Sequence, residues 1–146
     1  MKNEIPAGEV WVEDTSQGLT NRVLTRSHEL IADEPESAGG LNKGPNPYSY
    51  LLAALGACTS MTLRLYANHK QLPLQGVRVK LRHSKVHAED CVECNDKSSM
   101  IDHIERSIEL TGDLTEAQRA RMLEIANKCP VHRTLTSKIK IVSTLI

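Results

Sequence analysis

From Tyr48 to Leu63 the sequence carries no charge, and Leu51, Leu52, Leu55, Cys58, Thr59, Thr62 and Leu63 recur there at helical spacings. Pro47 fits the first turn of a helix, where its missing N–H is not needed, so the pattern predicts a helix from Pro47 to about Asn68. A membrane span needs about 20 mostly apolar residues; this run is shorter and holds Ser49, Gly56, Thr59, Ser60 and Thr62. It is therefore read as a central buried helix around which the other elements pack. Ala53, Ala54, Gly56 and Ala57 would let a second backbone come close near Cys58, from a sheet or from another subunit.

The flanking segments supply strands. Val10-Trp11-Val12, Arg22-Val23-Leu24 and Glu29-Leu30-Ile31 are short extended patches separated by turn residues, the pattern of a small antiparallel meander. The stretch from Asp33 to Pro47 is too rich in proline and glycine for a regular element and is expected to be a long loop. After Pro73, Val77, Val79 and Leu81 alternate with Arg78, Lys80 and Arg82, which predicts a half-buried strand. Ile104 to Leu110 reads as a second strand whose Glu105 and Glu109 can pair with that basic face. Thr115 and Gln118 form the S/T-x-x-E/Q pattern that opens a helix, with Met122, Ala126 and Cys129 sharing one face. Pro130 disfavours helical geometry at Cys129, so that cysteine should lie where the helix ends. Lys138 to Val142 completes the expectation as a last strand. The order implies an α+β fold in one domain, residues 1–146.

Composition excludes several classes of partner. Lys plus Arg equals Asp plus Glu at 18 each, there is no Phe, and Trp11 is the one tryptophan. Neither long-range attraction to nucleic acid or an anionic membrane nor a set of base-stacking aromatics is present. The amino-terminal Met1 to Pro6 is polar, with no apolar run of the kind a signal peptide carries, so a cytoplasmic location is expected. In a reducing compartment the 4 cysteines are read as thiols for catalysis, redox sensing or metal rather than as permanent crosslinks.

Two of those cysteines have informative neighbours. Cys58 lies inside the apolar helix, and Cys129 is followed by Pro130-Val131-His132-Arg133, whose histidine and arginine could stabilise a thiolate. The plain alternative for Cys58 is a small core residue. For Cys129 it is a helix-end cysteine beside surface charges. A competing site is His83, His87, Cys91 and Cys94, residue types that zinc accepts. A lone C-x2-C without a second such arm, together with two histidines four apart on a strand, argues against it. No nucleophile elbow, phosphate loop or dinucleotide fingerprint is present.

Gly44-Pro45-Asn46-Pro47 through Leu51-Leu52-Ala53-Ala54-Leu55-Gly56-Ala57-Cys58, the lead Gly112-Asp113-Leu114-Thr115, and Cys129-Pro130-Val131-His132-Arg133 together resemble the OsmC/Ohr family of thiol-dependent hydroperoxide reductases. The resemblance implies an OsmC-like fold, with antiparallel sheets packed around a long central helix in an intertwined homodimer. It implies that the Cys58 thiolate attacks the O–O bond of an organic hydroperoxide, or of hydrogen peroxide, and becomes a sulfenic acid that Cys129 resolves. An external dithiol would reduce the disulfide, with no metal or organic cofactor. Many family members place a Glu just after the Asn-Pro pair, where it orders an Arg beside the thiolate; this chain has Tyr48 and Ser49 there. Tyr48, Ser49, Arg22, Arg26 and Arg133 are the candidates for the thiolate's surroundings. The alternative is a non-enzymatic protein of the same fold that binds a small apolar ligand, or zinc at His83, His87, Cys91 and Cys94.

Overall fold

The computed structural model describes residues 4–87 and 99–146, which form two compact units, Met1–Leu51 and Leu52–Ile146. In the first unit, β1 (Trp11–Asp14), β2 (Asn21–Leu24) and β3 (Glu29–Ala32) make the antiparallel meander expected from their alternation, in the order β1-β2-β3. Arg22 on the central strand reaches Glu13 at 3.1 Å and Glu29 at 2.8 Å.

The loop that follows is irregular apart from a 3-10 turn at Glu36–Ala38, as its composition predicts. Asp33 organises it. Its carboxylate is buried and accepts hydrogen bonds from the Thr20 hydroxyl (2.9 Å) and from the backbone N–H groups of Glu34 (2.8 Å), Leu41 (3.4 Å) and Lys43 (3.2 Å). Gly44 passes so close to β3 that a Cβ there would sit 2.3 Å from the Ile31 carbonyl oxygen. Asn46 then caps the long helix α1 (Pro47–His69), its Oδ1 accepting the Ser49 N–H at 2.8 Å. The Gly-Pro-Asn-Pro run thus has a physical reason: close passage, cap, and proline at the first helical position.

The second unit carries most of α1 together with β4 (Leu74–His87), β5 (Met100–Gly112), α2 (Glu116–Ala126) and α3 (Pro130–Leu135). β4 and β5 pair antiparallel, with Leu81 opposite Arg106 and Arg82 opposite Glu105. On the solvated face Arg82 meets Glu105 at 2.6 Å and Arg78 meets Glu109 at 3.5 Å, the cross-strand pairing that the charge alternation suggests. On the other face α1 approaches closely, since a Cβ at Gly56 would lie 2.8 Å from Leu81 Cδ1. The core joins Leu63 and Ala67 of α1, Leu74, Leu114, and Met122 and Ala126 of α2. Thr115 and Gln118 close both hydrogen bonds of the capping box that starts α2. Gly112, at φ +128, turns the chain into it where a Cβ would collide with the Pro73 carbonyl oxygen.

Three expectations need correction. Helix α1 buries one stripe, Leu55, Gly56, Thr59, Leu63 and Ala67, and is not covered all round: Met61 is 65% exposed and Leu65 70%. Lys138 to Val142 is not a strand, because alternation alone makes no strand without a neighbour to pair with; Ile141 is 84% exposed. The segment just before it forms α3, a helix absent from the expected order: Pro130 keeps Cys129 out of helical geometry, as expected, and itself occupies the first helical position.

Candidate active site

Cys58 comes from the middle of α1 and Cys129 from the junction between α2 and α3. Both are free thiols; Cys58 is partly exposed and Cys129 fully buried. The junction holds Cys129 in an extended conformation (φ −61, ψ 142), as the following proline requires. It is the N-cap of α3, and its sulfur accepts the His132 N–H at 3.3 Å. On its other side Thr59 Oγ1 lies 3.8 Å from the sulfur.

Thr59 is itself fixed. Its hydroxyl donates to the Leu55 carbonyl at 2.7 Å and accepts from Arg106 Nη1 at 3.0 Å. Arg106 Nη2 donates to Asn127 Oδ1 at 2.8 Å. Among the described residues no carboxylate forms an ion pair with this guanidinium. Burial pushes the Cys129 thiol up, but the His132 N–H, the neighbouring Thr59 and Cys58 side chains and the charge of Arg106 outweigh it and hold the thiol below its ordinary value. Burial, with Arg106 adding to it, holds the His132 imidazole below its ordinary range, toward the neutral form.

Beside this cluster is a cavity of about 420 Å³. Leu55, Ile104, Leu123 and Leu135 supply apolar walls, while Arg106, Asn127 and His132 supply polar ones. Asp102 also borders it, with its charge engaged by His83 at 2.8 Å and Lys85 at 3.0 Å.

A model of the family described as OsmC-like protein matches residues 40–144, most of the chain and both cysteines. The chain belongs to the OsmC-like family. No curated protein matches it. Among solved structures it is similar to the organic hydroperoxide resistance protein OsmC of Legionella pneumophila, at 16% identity and a TM-score of 0.63 over 90% of this chain and 91% of that one. It is similar to an organic hydroperoxide resistance protein of Elizabethkingia anophelis at 17% identity, TM-score 0.64, over 96% and 94%. OhrB of Bacillus subtilis matches at 16% identity, TM-score 0.59, over 88% and 89%. These likenesses establish the fold, α+β with antiparallel sheets and a long helix.

Against the OsmC-like motifs, the structure brings Cys58 and Cys129 together and distributes the other candidates elsewhere. Tyr48 and Ser49 occupy the first turn of α1. Arg22 is held between Glu13 and Glu29, and Arg26 is exposed in the β2–β3 turn. Arg133 is exposed on α3. The cation at the thiol pair is Arg106, which the motifs do not mark. Of the zinc candidates, His83 and His87 lie on β4, four residues apart and so about 13 Å along the strand; Cys91 and Cys94 lie outside the described residues. Among the described residues no cluster of three or more His, Cys, Asp or Glu is placed to hold a metal ion, and no helix is long and apolar enough to cross a membrane.

Proposed function

We propose that this OsmC-like chain is a thiol-dependent hydroperoxide reductase, with Cys58 the attacking cysteine and Cys129 the resolving one. The observation that supports this is a partly exposed Cys58 next in α1 to Thr59, whose hydroxyl lies 3.8 Å from the buried Cys129 sulfur and accepts from Arg106. The Cys58 sulfur attacks one peroxide oxygen, the O–O bond breaks, an alcohol or water leaves, and Cys58 becomes a sulfenic acid. Cys129 condenses with it to a disulfide and water is released. An external dithiol restores both thiols by exchange. No metal or organic cofactor takes part.

The aliphatic cavity walls favour organic hydroperoxides over hydrogen peroxide. Relatives named for organic hydroperoxide resistance support the same choice. The working unit is a homodimer, since α1 leaves Met61 and Leu65 uncovered in the single chain.

Consumption of an alkyl hydroperoxide in the presence of a dithiol tests the proposal. Wild type should turn over and Cys58→Ser should not; equal consumption by both would overturn it. The cavity also suits a non-enzymatic protein that holds a small apolar ligand. In that case wild type shows no turnover and Cys58→Ser keeps the ligand.

A further inference from the structure

A resolving cysteine has to wait at the turn of α1 that carries Cys58, yet the backbone bonds of the junction that bears Cys129 are local. The N–H groups of Lys128 and Cys129 bond back to Ile125 and Ala126 at 2.9 and 3.3 Å, and α3 beyond them buries no residue. Hydrogen-bonding contacts reach the junction from α1 and from β5. Thr59 Oγ1 lies 3.8 Å from the Cys129 sulfur, and Arg106 Nη2 donates to Asn127 Oδ1 at 2.8 Å. Asn127 is the C-cap of α2, two residues before Cys129.

Arg106 joins the two contacts. Its Nη1 donates to Thr59 Oγ1 at 3.0 Å, so one guanidinium grips the residue after Cys58 and the residue two before Cys129. The guanidinium is a rigid planar fork with its donors at fixed separation, which a lysine ammonium on a flexible stem is not. Both the fork and its grip on α1 are anchored. Arg106 stands opposite Leu81 in the β4–β5 register, and Leu81 packs against α1 at Gly56, three residues before Thr59. Thr59 is tied to its own helix by the 2.7 Å bond from its hydroxyl to the Leu55 carbonyl.

We propose that Arg106 is the positioning residue of the resolving step, its fork holding the α2–α3 junction against α1 so that Cys129 stands ready beside the turn that carries Cys58. The inference rests on the reductase reading above and deepens it. In the step it serves, the Cys129 sulfur attacks the sulfenic sulfur of Cys58. An S–S bond forms as the S–O bond breaks, and the hydroxyl leaves as water with the proton of the Cys129 thiol. The two-electron oxidation first carried by Cys58 is then shared by both sulfurs, and no further oxidant or reductant enters. Attack within one molecule depends on geometry set in advance, and a misplacement of about 1 Å costs on the order of 100-fold. Attack on the peroxide uses the Cys58 sulfur and makes no demand on where the junction sits, so Arg106 acts on the second step in preference to the first.

Single-turnover kinetics separate the two steps. The fully reduced protein is mixed with one equivalent of an alkyl hydroperoxide; sulfenic acid formation is read by chemical trapping, and disulfide closure by acid quench and peptide mass spectrometry. Arg106→Gln and Asn127→Ala should each slow closure of the Cys58–Cys129 disulfide on the order of 10-fold or more, while sulfenic acid forms at a rate much closer to that of wild type. The double variant should close no more slowly than Arg106→Gln alone, because both changes remove the same bond. Asn127→Asp, which keeps an acceptor for Arg106, should close faster than Asn127→Ala. Arg106→Lys, which keeps the charge without the fork, should stay slow. A merely structural Arg106 would lower Tm and slow both steps alike, and that result would overturn the proposal. So would closure at the wild-type rate in Arg106→Gln, full rescue by Arg106→Lys, or additive losses in the double variant. Should Arg106→Gln fail to fold, the exposed Asn127 decides by itself, and closure at the wild-type rate in Asn127→Ala ends the proposal. If wild type forms neither sulfenic acid nor disulfide, the reductase reading fails and the positioning role falls with it. A wild type that closes its disulfide, beside variants that close it equally fast, rejects this inference alone.

Discussion

An arginine in phase with the apolar residues of an alternating strand needs a partner, since a cation turned toward an interior is costly unless its donors are used. Arg106 stands in phase with Ile104, Ile108 and Leu110, and its donors go to Thr59 and Asn127. Asp33 shows the same economy in the first unit, and the effect of its removal should depend on pH. Burial raises its carboxyl, but its four hydrogen bonds prevail and hold it below the ordinary carboxylate range. A depressed native value means that the stabilisation is complete above the unfolded value, about 3.9, and is lost as pH falls through the native one. Asp33→Asn should therefore lower Tm at pH 7, and the gap from wild type should close in strong acid; a pH-independent gap would show that the charge is not what matters. Much of this scale was legible. The motifs mark Cys58 and Cys129, whereas Arg106 belongs to no motif, and the reading of its strand rested on Glu105 and Glu109 alone. Its phase was the available signal: Glu105 and Glu109 alternate out, and Arg106 does not.

At the scale of elements, α2 is held by its cap at one end and its buried face along its length. Met122 is fully buried against Leu63 and Ala67. Met122→Ala should cost about 2–5 kcal/mol in urea unfolding, and Thr115→Ala about 1 kcal/mol through loss of the capping box. A Met122→Ala loss under about 1 kcal/mol would mean that the core closes over the gap. Local signals were readable where they are satisfied locally: the capping box, the meander, and the alternation of β4 against β5. They failed where partnership decides. Lys138-Ile139-Lys140-Ile141 has strand periodicity, yet a strand exists only by pairing, and within the described chain nothing pairs with it. Pro130 carries two meanings, end of the preceding helix and first residue of the next, and only the first is visible without the chain that follows it.

At the scale of the molecule, the uncovered apolar side chains of α1 and the exposed Ile141 are surface that a second copy would bury. Light scattering should give twice the chain mass for wild type, and Leu65→Glu should reduce it to that of one chain; a monomeric wild type would remove the dimer from the account. The chain should also unfold as one domain, in a single calorimetric transition whose enthalpy matches its van't Hoff value; two transitions would separate Met1–Leu51 from the rest. The central claim is narrower than either, that Cys58 and Cys129 are the working redox pair. It is tested by treating the fully reduced protein with one equivalent of an organic hydroperoxide and mapping its disulfides by peptide mass spectrometry. A Cys58–Cys129 bond should form rapidly; a bond between Cys91 and Cys94, or four unchanged thiols, would contradict the claim.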